Sequence, residues 1–313
     1  MSPRKIILDC DPGQDDALAL LMALGSPDEL ELLAVTTVAG NVPLALTSTN
    51  AQRICALAGR TDVPVYAGAD RPLLKPLITA EYVHGETGLD GAELSEPEVP
   101  LAAGHAVDAI VDRIMAEPRG SVTLVPTGPL TNVALAMARQ PEIQKRLAGI
   151  VLMGGAIGLG NVTAAAEFNI FVDPHAAKMV FGSGVPITMH GLDVTHQALI
   201  TEQRLRRIEA IGTTVGQAAA GLLDFYTRFD KDRYDEPGGP LHDPCTIAYL
   251  LKPDLFNGKA CRVDVETEGL CAGRTVVDWW AQSGAEPNAL VIDRIDADGF
   301  FGLLVERVAR LGR

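Results

Sequence analysis

The sequence predicts an α/β protein: an open, mainly parallel sheet with helices on both faces, followed by a small antiparallel appendage near the C-terminus. Three observations predict it. Short runs rich in Val, Ile and Leu recur along the chain, with the continuous apolar character of strands buried on both faces. Amphipathic stretches separate these runs, some opening on Pro or closing on Gly, as helix ends do. Beyond Asp193 the alternation gives way to a long polar helical stretch and then to clustered strand-like runs.

Taken in order, Lys5–Leu8, Leu30–Val38, Val63–Tyr66, Val122–Val125, Ile150–Met153 and Pro186–Met189 read as buried strands. Helical patterns run from near Asp15 to Gly25, from Pro43 to Gly59, from His105 to Met115, from Leu130 to Ala138 and from Pro174 to Phe181. Thr201 to about Phe229 is a polar helical stretch, and the segment from Asp230 to Pro240 is the most loop-like in the chain. A helix over Asp243–Leu251 follows. Cys261–Glu266, Arg274–Trp280 and Ala289–Ile292 read as strands of the appendage, and Phe300–Leu311 as a closing helix. No Pro/Ser linker and no internal repeat divides the 313 residues, so one domain, 1–313, is predicted.

Composition narrows the function. Lys plus Arg number 26 against 40 Asp plus Glu, a net charge of −14. Nucleic acid and anionic membrane are polyanions that such a surface repels, so neither is expected as a partner. The apolar run after the basic start ends at Asp9, too early for a signal peptide, and no stretch approaches the ~20 residues of a membrane span. Cys10, Cys55, Cys245, Cys261 and Cys271 are dispersed and odd in number, which suits reduced thiols in a cytoplasm and excludes a Cys-rich zinc site.

Open parallel sheets bind ligands beyond the carboxyl ends of their strands. The polar residues at those ends are Asp9, Asp11, Asp15 and Asp16, then Asn41, Thr127, the Gly154–Asn169 loop and Asp193, with no Lys or Arg among them. Such a crevice suits a hard cation and a polyhydroxyl ligand rather than a phosphate. The densest signal is Asp9-Cys-Asp11-Pro-Gly-Gln-Asp15-Asp16, four carboxylates in eight residues. Unpaired, they repel one another at low dielectric and call for a neutralising ion. Oxygen-only ligands select calcium, magnesium or manganese over zinc. Capping of the following helix by Asp15 and Asp16 is the competing explanation.

Other motifs fail on detail. An EF-hand loop from Asp9 requires Glu where Leu20 stands. An Asp-x-Asp-x-Thr phosphatase site requires Thr or Val where Gly13 stands, and a phosphate clamp that is not visible. The glycines of 154–160 match neither G-x-G-x-x-G nor a P-loop.

The Asp-x-Asp-Pro-Gly-x-Asp-Asp-Ala opening resembles the signature of the calcium-dependent nucleoside hydrolases of the inosine–uridine-preferring group. Further matches extend over essentially the whole chain: Asn41, His84-Gly-Glu-Thr-Gly-Leu-Asp-Gly, Val125-Pro-Thr-Gly-Pro-Leu-Thr-Asn132, Met153-Gly-Gly, Asn161, Glu167-Phe-Asn169, Gly191-Leu-Asp-Val-Thr195 and His242-Asp243-Pro244. The resemblance implies a Rossmann-like nucleoside hydrolase fold and hydrolysis of a ribonucleoside to ribose and free base. It implies that Asp11, Asp15, Asp16, the Thr127 carbonyl and Asp243 hold one Ca²⁺, with Asp11 as general base. Asp15, Asn41 and Asn169 are then the partners of the ribose 2′- and 3′-hydroxyls and Asn161 and Glu167 those of the 5′-hydroxyl, while Met153 and Phe168 pack around the sugar. His242 is the expected proton donor to the leaving base, because imidazole titrates near neutral pH. Assembly as a homodimer or homotetramer is implied in the same way.

His84, Tyr234 and His242 are the base-side candidates. Purine-specialised relatives place tryptophans around the base and lack the His before the Asp. Here His242 is present, and Trp279 and Trp280 lie in a strand-like run where core or interface packing explains them. Pyrimidine-preferring relatives carry a Gln and a Tyr one helical turn apart; here the positions are Asp230 and Tyr234, so only the Tyr matches. A broad or pyrimidine-leaning activity is expected. His105, His175, His190 and His196 read as structural. The rival readings are a magnesium-dependent phosphatase and a non-catalytic sugar- or nucleoside-binding protein.

Overall fold

A computed structural model of the chain describes residues 2–97, 99–234 and 238–312, with 230–234 described by backbone alone. The first half comprises β1 (Arg4–Cys10), α1 (Gln14–Leu24), β2 (Leu30–Thr37), α2 (Leu44–Leu57), β3 (Val65–Ala67), α3 (Glu81–His84), α4 (Ala106–Ala116), β4 (Val122–Pro126) and α5 (Thr131–Arg139). Next come α6 (Glu142–Arg146), β5 (Leu147–Met153), α7 (Phe168–Val172), α8 (Pro174–Phe181), β6 (Ile187–His190) and α9 (Leu192–Thr195). The chain ends with α10 (Glu202–Glu209), α11 (Thr214–Tyr234), α12 (Pro244–Leu251), β7 (Phe256–Val265), β8 (Thr275–Asp278), β9 (Ala289–Ile295) and α13 (Ala297–Val308).

The strands form one sheet in the order β3-β2-β1-β4-β5-β6-β9-β7-β8, parallel from β3 to β9. Side chains alternate across it. On β1, Ile6 and Leu8 enter one core beneath α1, α2 and α11–α13, whereas Ile7 enters the opposite core under α4, α5 and α8. Every residue of α1 is buried, which is why its sequence is nearly continuous Ala and Leu rather than amphipathic.

Several elements differ from the sequence expectation. Ala289–Ile292 was expected in the antiparallel appendage; β9 instead extends the main sheet parallel to β6, and only β7 and β8 run antiparallel beyond it. Local pattern cannot specify which strand a run will pair with. The stretch from Thr201 to Phe229 is two helices, because Gly212 takes φ +72° between them and the Thr213 hydroxyl caps α11. Helix α11 then continues to Tyr234, into the segment expected to be a loop.

Strand order reverses between β1 and β4, the switch point at which open sheets bind ligands. The Thr127 N–H donates to Asp9 O at 2.8 Å, so the chain leaving β4 lies beside the aspartate run leaving β1. The β1–β4 ladder, which this bond continues, brings positions 118 residues apart to the same crevice.

Candidate active site

Above this point a cavity of about 690 Å³, its open mouth included, is lined by residues from eight chain segments. Its floor holds Asp15, Asn41, Thr127, Asn169 and Asp243; Met153, Asn161, Glu167 and Phe168 form one wall, and His84 and His242 stand on the other. Nearly every residue singled out from the sequence is therefore brought together. Asp11 and Asp16 are buried and bonded to the lining residues, Asp11 to Asn41 and Asp16 to Asn41 and Thr127. The Tyr234 and Asp230 side chains lie outside the described residues.

Asp15, Asp16 and Asp243 each offer a carboxylate oxygen within 4.8 Å of the others. Asp16 is oriented by three donors: the Thr127 hydroxyl at 2.7 Å, the Gly13 N–H at 3.1 Å and Asn41 Nδ2 at 3.2 Å. Asp11 accepts the Asn41 N–H through Oδ2 at 2.7 Å. Its Oδ1 and the Oδ1 of Asp15 are buried and have no hydrogen-bond partner. Asp11 sits so close to Gly128 that an added Cβ there would lie 2.5 Å from Oδ1, which is why the turn after Thr127 needs glycine.

Burial and mutual repulsion raise the affinity of these groups for protons. Asp15 is pushed up to about 7, and Asp11 and Asp243 well above the usual carboxylate range. Among the described residues no Lys or Arg lines the cavity to offset them. Buried, unpartnered carboxylate oxygens in a site of oxygen donors fit a hard divalent cation. Asp15, Asp16 and Asp243 could hold one, with Asp11 adjoining. The Thr127 carbonyl, expected as a further ligand, accepts Asn169 Nδ2 at 2.6 Å and keeps a second lone pair.

The two histidines are held by different means. Gln14 Oε1 lies 2.7 Å from His84 Nδ1, while its Nε2 donates to His84 O at 2.9 Å. Burial lowers His84 to about 3, so it stays neutral. His84 ends the short helix α3, and Gly13 is what lets the ring approach, since a Cβ there would meet it at 2.4 Å. His242 Nδ1 lies 2.7 Å from the Thr195 hydroxyl. Burial first, and then the neighbouring His196 and His84, lower His242 well below the ordinary value. The near-neutral titration expected from sequence does not survive this environment.

Glu167 caps α7, accepting the N–H groups of Asn169 and Ile170 at 2.9 and 3.2 Å, and also that of Gly155 at 2.8 Å. Burial raises it to about 7. Asn161 Oδ1 accepts the Phe168 N–H at 3.0 Å.

Sequence reasoning missed Tyr82, Tyr226, Phe229 and His196, all of which line the cavity. Tyr226 donates to Asp15 at 3.4 Å and its ring lies 5.6 Å from His84, while Tyr82 and Phe229 meet edge-on at 5.5 Å near the mouth. The i, i+3 spacing of Tyr226 and Phe229 on a polar helix was the available signal. His196, expected to be structural, stands with its ring 5.7 Å from that of His242. His190 and His105 are structural as expected: the first is fully buried, and the second caps α4. Trp279 packs on the second core, but the strand ends before it and Trp280 is exposed.

The sequence profile described as inosine-uridine preferring nucleoside hydrolase matches residues 6–302. The chain belongs to this family. Among similar proteins, the pyrimidine-specific ribonucleoside hydrolase RihA of Shewanella woodyi is 51% identical over 312 residues, covering 99% of both chains. An uncharacterized protein of Schizosaccharomyces pombe is 48% identical over 309 residues, covering 98% of this chain and 99% of its own. The structure superposes with a TM-score of 0.91 on a purine-preferring ribonucleoside hydrolase from Gardnerella vaginalis, 35% identical and covered to 98% in both chains. The enzyme is accordingly a nucleoside hydrolase, and the cavity is where its residues can carry that chemistry. Among the described residues no helix is long and apolar enough to cross a membrane.

Proposed function

We propose that the enzyme is a Ca²⁺-dependent ribonucleoside hydrolase with a preference for pyrimidines, acting as one catalytic domain. The observation that carries the metal reading is the pair of buried, unpartnered oxygens on Asp11 and Asp15 beside the Asp15–Asp16–Asp243 trio. Asp11, Asp15, Asp16, Asp243 and the Thr127 carbonyl would hold the ion. When bound, it supplies Lewis acidity toward the attacking water and positive charge beneath the ribose hydroxyls.

The chain's own groups do the rest. Asp11, held through Oδ2, keeps Oδ1 to accept the proton of the water. Asn41 and Asn169 donate their side-chain N–H groups to the protein, which leaves their amide oxygens to accept from the ribose diol. Asn161 and Glu167 meet the 5′-hydroxyl, and Met153 and Phe168 cover the sugar. Breaking the N-ribosidic bond develops oxocarbenium character, which a lining that is acidic and free of Lys and Arg among the described residues stabilises. Among the described residues the lining offers no cation to clamp a phosphate, which disfavours a phosphatase. His242 Nδ1 pairs with the Thr195 hydroxyl; in the tautomer where that hydroxyl donates, the neutral ring carries its hydrogen on Nε2 and can offer it on the base side. His84 and Tyr234 complete the base side in this reading. Homodimeric or homotetrameric assembly and a cytoplasmic location belong to the same proposal.

Pyrimidine preference is supported by relatives about half identical that bear a pyrimidine-specific name, and by the lack of tryptophan in the cavity lining. A turnover panel of uridine, cytidine, inosine and adenosine, with free ribose measured, tests it. Uridine and cytidine should give the highest kcat/KM; a purine nucleoside in first place would reverse the assignment.

His242→Ala should slow uridine hydrolysis by about 10²–10⁴, the usual contribution of a placed proton donor. p-Nitrophenyl riboside, whose leaving group needs no proton, should be hydrolysed nearly as before. Equal losses on both substrates would make His242 a binding residue.

A further inference from the structure

The loop that follows β5 carries the wall of the cavity, and it is fastened from outside. Thr275, at the start of β8, is buried, and its hydroxyl makes two bonds to one residue of that loop. It accepts the Ala156 N–H at 2.9 Å and donates to Ala156 O at 2.7 Å. The adjacent Gly155 adopts φ +75°, where a Cβ would strike Thr275 at 2.6 Å. Its N–H donates to Glu167 at 2.8 Å, and its carbonyl accepts the Leu192 N–H at 2.9 Å. The turn leading into β8 presses on the far side of the same wall. Gly273, at φ +88°, approaches Phe171 so closely that a Cβ would lie 2.7 Å from its Cα and 3.1 Å from the Ala166 Cβ.

These contacts form one path. The hydroxyl of Thr275 saturates the backbone of Ala156, so the peptide before it is directed at Glu167, and Glu167 in turn caps the helix that presents Phe168 and Asn169. We propose that Thr275 is a positioning residue for the 5′-hydroxyl end of the substrate, acting through Ala156, Gly155 and Glu167. The inference rests on the reading of Glu167 and Asn161 as the 5′-hydroxyl partners. It gives the C-terminal β7–β8 hairpin a function: it braces one wall of a site that lies on the other strands of the sheet.

The test compares uridine with 5′-deoxyuridine on the Ca²⁺-loaded enzyme and on Thr275→Val, Thr275→Ala and Thr275→Ser. The unaltered enzyme should prefer uridine. Thr275→Val and Thr275→Ala should lose about tenfold in kcat/KM on uridine, mainly through KM, since a misplaced hydrogen bond is worth roughly one decade. Their kcat/KM on 5′-deoxyuridine should fall much less, so the ratio of the two substrates falls. Thr275→Ser, which keeps the hydroxyl, should restore it. A general loss of folded enzyme lowers both substrates together and leaves the ratio intact. An unchanged ratio in either folded variant overturns the proposal alone. Equal use of the two substrates by the unaltered enzyme removes the 5′-hydroxyl reading, and the proposal with it.

Discussion

Stripping divalent cations from the protein should abolish nucleoside hydrolysis, and Ca²⁺ should restore it where Zn²⁺ does not. Four buried carboxylates cluster at or under the cavity lining, which holds no Lys or Arg among the described residues, and each keeps its charge only at a large cost in desolvation and repulsion. In the metal-free protein protons take the place of the ion. Asp15, raised from 3.8 to about 7 in the fold, shows the sign. A carboxyl raised in this way contributes stability below its unfolded value, and that contribution is lost as pH climbs through about 7. Metal-free protein should therefore weaken between about pH 4 and 7 on account of this site. The gain in Tm on adding Ca²⁺ should be larger at pH 8 than at pH 5, where protons compete for the same oxygens. Calorimetry with and without chelator at the two pH values measures it. Full turnover by protein shown to be metal-free would sink the carboxylate reading, and equal Tm gains would sink the linkage. Asp11→Asn, which keeps the shape and loses the basic oxygen, should lower kcat by about 10²–10⁴.

Removing the substrate's 2′-hydroxyl should cost about 10² or more in kcat/KM. A calcium held by these carboxylates would have oxygen positions to offer a vicinal diol, and Asp15, Asn41 and Asn169 line the cavity beside it. A deoxyribose leaves these groups unpaired in a buried place, and no apolar side chain on the floor replaces the missing contact. Sites built around a hydroxyl reject the analogue lacking it by roughly 10⁴–10⁵. A water filling the gap softens this, which sets the lower figure. Uridine against 2′-deoxyuridine, and inosine against 2′-deoxyinosine, at saturating Ca²⁺ provide the comparison. Comparable kcat/KM within either pair would mean that the site does not grip the diol.

Much of the site was legible because its chemistry is local in sequence. Asp11, Asp15 and Asp16 fall within one strand-to-helix turn, and the polar residues after β2, β4 and β5 sit where parallel strands always deliver them. The base side was less legible. Tyr82 and His196 come from short helices or their ends, and Tyr226 and Phe229 from α11, whose helical periodicity marks a buried side without marking which part of it faces the pocket. His196 resembled any lone histidine until the fold set it beside His242.

The sequence by itself determined the alternating α/β architecture, the acidic strand end and the family, since periodicity and a run of carboxylates are properties of neighbouring residues. Tertiary structure decided the rest. Only folding placed Asp243 against residues more than two hundred positions away, joined β9 to β6 rather than to the appendage alone, and left two carboxylate oxygens without a partner. It also reversed the expected behaviour of His242, because a pKa follows the dielectric and charge that surround a ring, and neither is written beside it in the chain.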